Sequence, residues 1–113
     1  MGKKDSTIFL KHIFESIVAI EKYVAGVSET DFLKDQKTQD SVIRRLEIIG
    51  EATTNISEEF KKKHPQVPWG KIIGTRNVLI HEYFGVEVEL VWGILQSHLP
   101  ELKKAIQKIL ADK

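Results

Sequence analysis

From about Thr38 the apolar positions Val42, Leu46, Ile49, Thr53, Ile56 and Phe60 recur at alternating four- and three-residue intervals. That period belongs to one face of an α-helix, and a stripe sustained over so many turns calls for helical partners to cover it. It predicts the longest helix of the chain, closed by Lys61-Lys62-Lys63, whose charges suit the negative end of a helix dipole. The same spacing recurs upstream. Phe9, Ile13, Ile17, Ile20 and Val24 form a stripe behind a cap at Asp5 or Ser6 and end near Gly26. Ser28-Glu29-Thr30-Asp31 then has the form of a capping box, opening a brief helix or an ordered loop with Phe32 and Leu33.

Pro65 and Pro68 break the pattern, and Pro68-Trp69 fits a helix with proline in its first turn, where no N–H is required. Trp69, Ile72, Ile73, Leu79 and Ile80 supply its buried side, and Gly85 marks its end. Leu90, Val91, Ile94 and Leu95 predict a further helix, interrupted by Pro100 and resumed through Leu102, Ala105, Ile106, Ile109 and Leu110. Val86-Glu87-Val88-Glu89-Leu90 alternates like a strand. A lone strand would have nothing to pair with, so it reads as the helix entry. The expected fold is all-α, an up-and-down bundle of four to five helices, in one domain covering residues 1–113.

At 113 residues the chain can bury roughly two-thirds of the surface its unfolded form exposes. With 17 basic and 16 acidic residues the net charge is +1, so no strongly basic face announces a duplex-DNA binder. Zero cysteines exclude disulfides, thiolate metal sites and thiol nucleophiles. The polar start Met1-Gly2-Lys3-Lys4-Asp5 is no apolar signal core, and no run approaches the ~20 apolar residues of a membrane span. A soluble, cytoplasmic protein that engages no membrane is expected.

Within a helical bundle the first chemistry to test is a core metal. Carboxylate-bridged di-iron bundles need paired Glu-x-x-His motifs on facing helices. None occurs, and His12 and Glu15 stand in the reverse order. There is no Gly-rich phosphate loop and no Gly-x-Ser-x-Gly elbow, so neither a metal nor a cofactor is expected. What remains is Arg76-Asn77-Val78-Leu79-Ile80-His81-Glu82-Tyr83, which gathers a permanent cation, an amide, an imidazole and a phenol. Arg offers phosphate oxygens a planar fork of donors, and His has an unperturbed pKa near neutrality. On an ideal helix positions 76 and 81 diverge by roughly 140°, whereas Asn77 and His81, four apart, share a face. Either the helix distorts before Gly85, or two copies face each other across a two-fold axis and complete one cleft.

Other polar and aromatic residues carry plainer readings. Arg45, Glu47 and Glu51 read as ion-pairing residues, Trp69 and Trp92 as core or interface aromatics, and His12, His64 and His98 as incidental.

The Arg-x4-His pattern, with Asn after the Arg, resembles the signature of HEPN-superfamily ribonucleases, and the chain resembles their HepT-like branch over nearly its whole length. The supporting segments are Tyr23-Val24-Ala25-Gly26-Val27-Ser28, Arg45-Leu46-Glu47-Ile48-Ile49-Gly50-Glu51-Ala52, Pro68-Trp69, and Arg76-Asn77 through His81-Glu82-Tyr83-Phe84-Gly85-Val86. Val91-Trp92 and Leu99-Pro100-Glu101-Leu102 also fall where that branch carries its Trp and Leu-Pro pairs. Glu87 departs from the aspartate usual after the Gly-Val. The resemblance implies a homodimeric helical bundle that acts as a metal-independent endoribonuclease, the toxin half of a toxin–antitoxin pair. It implies a partner too, a minimal nucleotidyltransferase of the MntA type that transfers AMP onto the tyrosine two residues after the His. Carried over residue by residue, Arg76 and His81 are catalytic, Asn77 is supporting and Tyr83 is the AMP acceptor. A second class stays open, a non-catalytic helical dimer that binds nucleotide, RNA or the partner without cutting.

Overall fold

The computed structural model describes residues 6–81 and 87–112, with the side chains of Val78, Ile80 and His81 outside the description. Among the described residues there are helices and no strand: α1 (Ser6–Val24), α2 (Glu29–Lys34), α3 (Gln36–Thr54), α4 (Glu58–Lys63), α5 (Trp69–His81) and α6 (Val88–Ala111). Four are long and two are short, so the expected all-α bundle is what forms. Helix α3 is central, packing against α1, α2 and α5, while α6 closes over α1 and α2.

Helix α1 buries Leu10, Ile13, Ile17 and Ile20 completely, with Phe9 and Val24 packed at the edge of the same stripe. Each such aliphatic side chain contributes about 1.5–3 kcal/mol when fully removed from water. The chain leaves α1 through Gly26 at φ +74, a left-handed conformation that an L side chain resists. Ser28 then caps α2, its Oγ accepting from the Asp31 N–H at 3.1 Å, as the capping-box pattern predicts. The purpose of α2 is to deliver Phe32, fully buried, against Trp92 of α6, with ring centroids 5.1 Å apart.

Helix α3 begins earlier than its apolar stripe. Asp35 is its N-cap, accepting from the Thr38 N–H at 3.2 Å and the Thr38 hydroxyl at 2.6 Å. These two bonds favour the charged carboxylate and hold its pKa below the ordinary value, the hydroxyl bond contributing most.

Two predicted helix boundaries are corrected. The stripe from Val42 to Phe60 is not one helix, because α3 stops at Thr54 and α4 starts at Glu58. The Thr54 hydroxyl and the Asn55 amide donate to the Glu51 carbonyl at 2.7 and 3.0 Å, replacing backbone donors at the helix end. Ser57 then restarts the chain as a fresh N-cap, its Oγ accepting from the Phe60 N–H at 3.1 Å. Lys61–Lys63 accordingly close α4 rather than α3.

Nor does Pro100 interrupt the last helix, since α6 runs through it without a break. Its missing N–H leaves the Gln96 carbonyl without an in-helix donor, at a cost of about 3 kcal/mol for a mid-helix proline. Burial of Leu95, Leu99, Leu102 and Ile106 on one side of α6 offsets that cost.

Helix α5 begins directly after Pro68, whose carbonyl accepts from the Ile72 N–H at 3.1 Å. Trp69 anchors this start. Its indole N–H donates to the carbonyls of His64, at 2.9 Å, and Lys61, at 3.2 Å, which lie at the C-terminal end of α4. The buried apolar residues of α1, α2, α3, α5 and α6 join in a single cluster, against which Phe60 of α4 packs. Among the described residues no helix is long and apolar enough to cross a membrane.

Candidate active site on the fifth helix

Arg76, Asn77 and His81 all lie on α5, which is helical through position 81. The expected end of this helix at Gly85, and Tyr83, lie outside the described residues. Because α5 is regular across the motif, positions 76 and 81 stand roughly 140° apart around its axis. The backbone therefore does not bring them onto one face.

Arg76 is half-buried against α3. The partner surface is Gly50, where an added Cβ would overlap the Cβ of Arg76 and come within 2.6 Å of its Cγ. A helix-interior glycine is about 1 kcal/mol less favourable than alanine, so this position needs a compensating reason. The close approach of Arg76 supplies one. Arg76 Nη1 donates to Asn77 Oδ1 at 3.2 Å, which ties the guanidinium to the neighbouring amide. Its Nε is buried with no hydrogen-bond partner among the described residues.

Acidic residues on α3 do not neutralise this cation. Glu47 pairs with Arg44 at 3.6 Å, and among the described residues neither Glu47 nor Glu51 forms an ion pair with Arg76. Arg45 makes no ion pair among the described residues either, and its Nε instead donates to the Tyr23 hydroxyl at 3.4 Å. Among the described residues, Glu47 alone of the three read as ion-pairing takes that role.

Elsewhere, Trp69 is a core residue, as its spacing predicts, and Trp92 packs against the core through Phe32. His12 is exposed, edge-on to Phe9 at 6.1 Å, and His64 stacks on Phe60 at 4.5 Å while ending α4. His98 lines a cleft of about 290 Å³ between α3, α5 and α6, with Lys71 and Thr75 on the α5 side and Leu46 and Ile49 of α3 lining it. Arg76 is not among the residues that line that cleft. Among the described residues no three His, Asp or Glu gather as a metal-ligand group.

Gly50 falls within a segment that carries the family resemblance, but motif reading gave it no role in the site. Its signal was available as a glycine inside an otherwise continuous helical stripe, but spacing alone does not say which helix such a glycine faces.

The family model described as "Ribonuclease HepT-like" matches residues 13–109, which include Gly50, Arg76, Asn77, His81 and Tyr83. "Probable ribonuclease HepT" of Thermococcus cleftensis is 43% identical over 107 residues, covering 95% of this chain and 97% of the relative. "Putative RNase MJ0127" of Methanocaldococcus jannaschii is 44% identical over 112 residues, covering 99% of this chain and 93% of the relative. A second protein of that organism, "Gamma-glutamylcyclotransferase and putative RNase MJ0434", is 44% identical over 110 residues. There this chain spans only 50% of the relative's length. No solved structure matches. With the family model covering most of its length and such relatives matched nearly end to end, the chain belongs to the HepT-like ribonuclease family.

Proposed function

We propose that this protein is a metal-independent endoribonuclease in which Arg76 and His81 carry the reaction. The observation that carries the reading is Arg76 itself, its stem set in a glycine seat on α3, its guanidinium tied to Asn77, and its buried Nε satisfied by no described group. An arginine so placed suits the oxygens of a phosphodiester, whose charge rises as phosphorus becomes five-coordinate. His81 in its neutral form removes the proton from a ribose 2′-OH. The 2′-oxygen then bonds to the adjacent phosphorus, and the bond from phosphorus to the 5′-oxygen breaks. The products are a 2′,3′-cyclic phosphate and a 5′-hydroxyl.

The 140° divergence on one helix makes a homodimer part of this reading, with Arg76 of one protomer working beside His81 of its partner. The second His81 protonates the leaving 5′-oxygen. Regulation centres on Tyr83. A minimal nucleotidyltransferase of the MntA type transfers AMP from ATP to the Tyr83 hydroxyl, forming a tyrosyl phosphodiester and releasing pyrophosphate. The attached anion and base then compete for Arg76 and exclude RNA, which suits the toxin half of a toxin–antitoxin pair.

The test is RNA cleavage in the presence of chelator by wild type, Arg76→Ala and His81→Ala. Chelator-resistant activity that disappears in both variants, with cyclic-phosphate ends on the wild-type products, is the expected result. Unchanged activity in both variants removes this site from the chemistry, and only 3′-hydroxyl ends would rule out the 2′-OH route. Tyr83→Phe should keep cutting RNA while escaping the nucleotidyltransferase.

A further inference from the structure

We infer that Gly50 is a positioning residue for the active site, holding the Arg76 guanidinium in place by leaving room for the arginine stem to seat directly on the backbone of α3. The inference deepens the proposed function and rests on Arg76 as the phosphate-binding group.

Three observations lead here. A Cβ at position 50 would occupy the space of the Arg76 Cβ, so the first side-chain atom of any other residue must displace either the arginine stem or the whole helix. Other helical glycines behave differently, since at Gly70, Gly74 and Gly93 a Cβ would meet nothing within 4 Å among the described residues. Gly50 is thus singled out by what it faces. Third, the far end of Arg76 is only lightly held, by the Asn77 contact at 3.2 Å, and its Nε has no partner among the described residues. With so little polar restraint from the described residues, the guanidinium takes its position from the packing of its stem, and that stem is seated on Gly50.

A residue with this role sets rate more than affinity. Displacing a charge-stabilising group by about 1 Å can cost about 100-fold in turnover, because the transition state is sensitive to placement in a way that a loosely held ground state is not.

The experiment compares wild type, Gly50→Ala and Gly93→Ala in two measurements. One is RNA cleavage, resolved into kcat and KM. The other is the NMR correlation of the Arg76 Nε–Hε group, assigned by its loss in Arg76→Gly. Gly50→Ala should fold, lose about 100-fold in kcat with KM little changed, and move the Arg76 signal or speed its solvent exchange. Gly93→Ala, whose new Cβ points into open space, should match wild type in both. Wild-type turnover in Gly50→Ala, or lost turnover with the Arg76 signal unmoved, overturns the inference.

Should Gly50→Ala fail to fold, Gly50→Ala is combined with Arg76→Gly, which removes the overlapping Cβ. Recovery of folding in the pair supports the seat. Equal failure in both backgrounds assigns Gly50 to general packing and overturns it. A wild type that cuts no RNA defeats the proposed function alone, since the Nε–Hε signal and the paired variants still decide where Gly50 acts.

Discussion

Replacing Trp69 by phenylalanine tests whether α5 is held in place through the end of α4. The indole N–H is shared between the His64 carbonyl at 2.9 Å and the Lys61 carbonyl at 3.2 Å, and the ring packs edge-on to Phe60 at 6.5 Å. The substitution keeps an aromatic ring but removes the donor, leaving carbonyls in a part-buried helix end. One shared hydrogen bond is worth about 1 kcal/mol net, and the lost half of the indole adds about 1 kcal/mol of packing, about 2 kcal/mol together. At about 2.1 cal/mol/K per residue, 113 residues give an unfolding entropy of about 0.24 kcal/mol/K. The expected fall in Tm is therefore about 8 °C, read by circular dichroism or calorimetry. Trp92→Phe is the control for ring size alone, because Trp92 stacks on Phe32 at 5.1 Å. A Tm for Trp69→Phe equal to that of Trp92→Phe would refute the capping role and leave only packing. Because Trp69 opens the helix that carries Arg76, a confirmed loss should also reduce RNA cleavage before the protein melts.

Acid sensitivity should localise to the start of α3. The Asp35 carboxyl has a lowered pKa in the folded state, so its contribution is present above the unfolded value near 3.9 and is lost as pH falls through the folded one. The gap in urea midpoint between wild type and Asp35→Asn should be constant above about pH 5 and close on acidification, and a gap that widens instead would contradict the sign. The Lys103–Glu21 bridge between α6 and α1, at 2.9 Å but with both side chains partly exposed, should matter little. Lys103→Gln should cost no more than about 1 kcal/mol, with the difference shrinking in about 1 M salt, and a larger, salt-insensitive loss would mean the lysine stem is acting through packing.

How much of this was legible in the chain depends on the range of the interaction. The stripes of α1, α5 and α6 report their helices directly, because burial on one side of a helix imposes a 3.6-residue period regardless of partner. That logic misleads at Asn55. Ile56 is 2% exposed and Phe60 packs against the core, so the stripe continues in register although the helix does not. The break is written in polar residues, Thr54 and Asn55 satisfying the Glu51 carbonyl and Ser57 capping α4, and an apolar pattern does not contain them. Pro100 misleads in the other direction, since a local cost of about 3 kcal/mol predicts a break that burial along α6 outweighs. The site divides in the same way. Arg76, Asn77 and His81 are local and readable, whereas the seat at Gly50 is a contact between helices separated by the whole of α4.

That seat also bears on why the arginine is there at all. An arginine kept for stability would be expected to pair, and acidic side chains stand nearby in sequence on the same helix as its seat. Glu47 instead bonds Arg44, on the exposed side of α3, and Arg76 keeps a buried Nε with no partner among the described residues. Burying a polar donor without an acceptor costs about 1–3 kcal/mol, and a glycine in the middle of α3 costs about 1 kcal/mol more. Neither cost is recovered by a described contact of Arg76, since a single tie to an exposed amide returns little. An apolar side chain at position 76, still seated on Gly50, would avoid the unpaired donor. A geometry that sacrifices stability at two helices simultaneously, and directs the result toward a lightly held cation, is better suited to an anion that arrives from solution than to the fold itself. On that reasoning α3 serves two ends, its apolar stripe building the core and its one glycine setting the position of the charge.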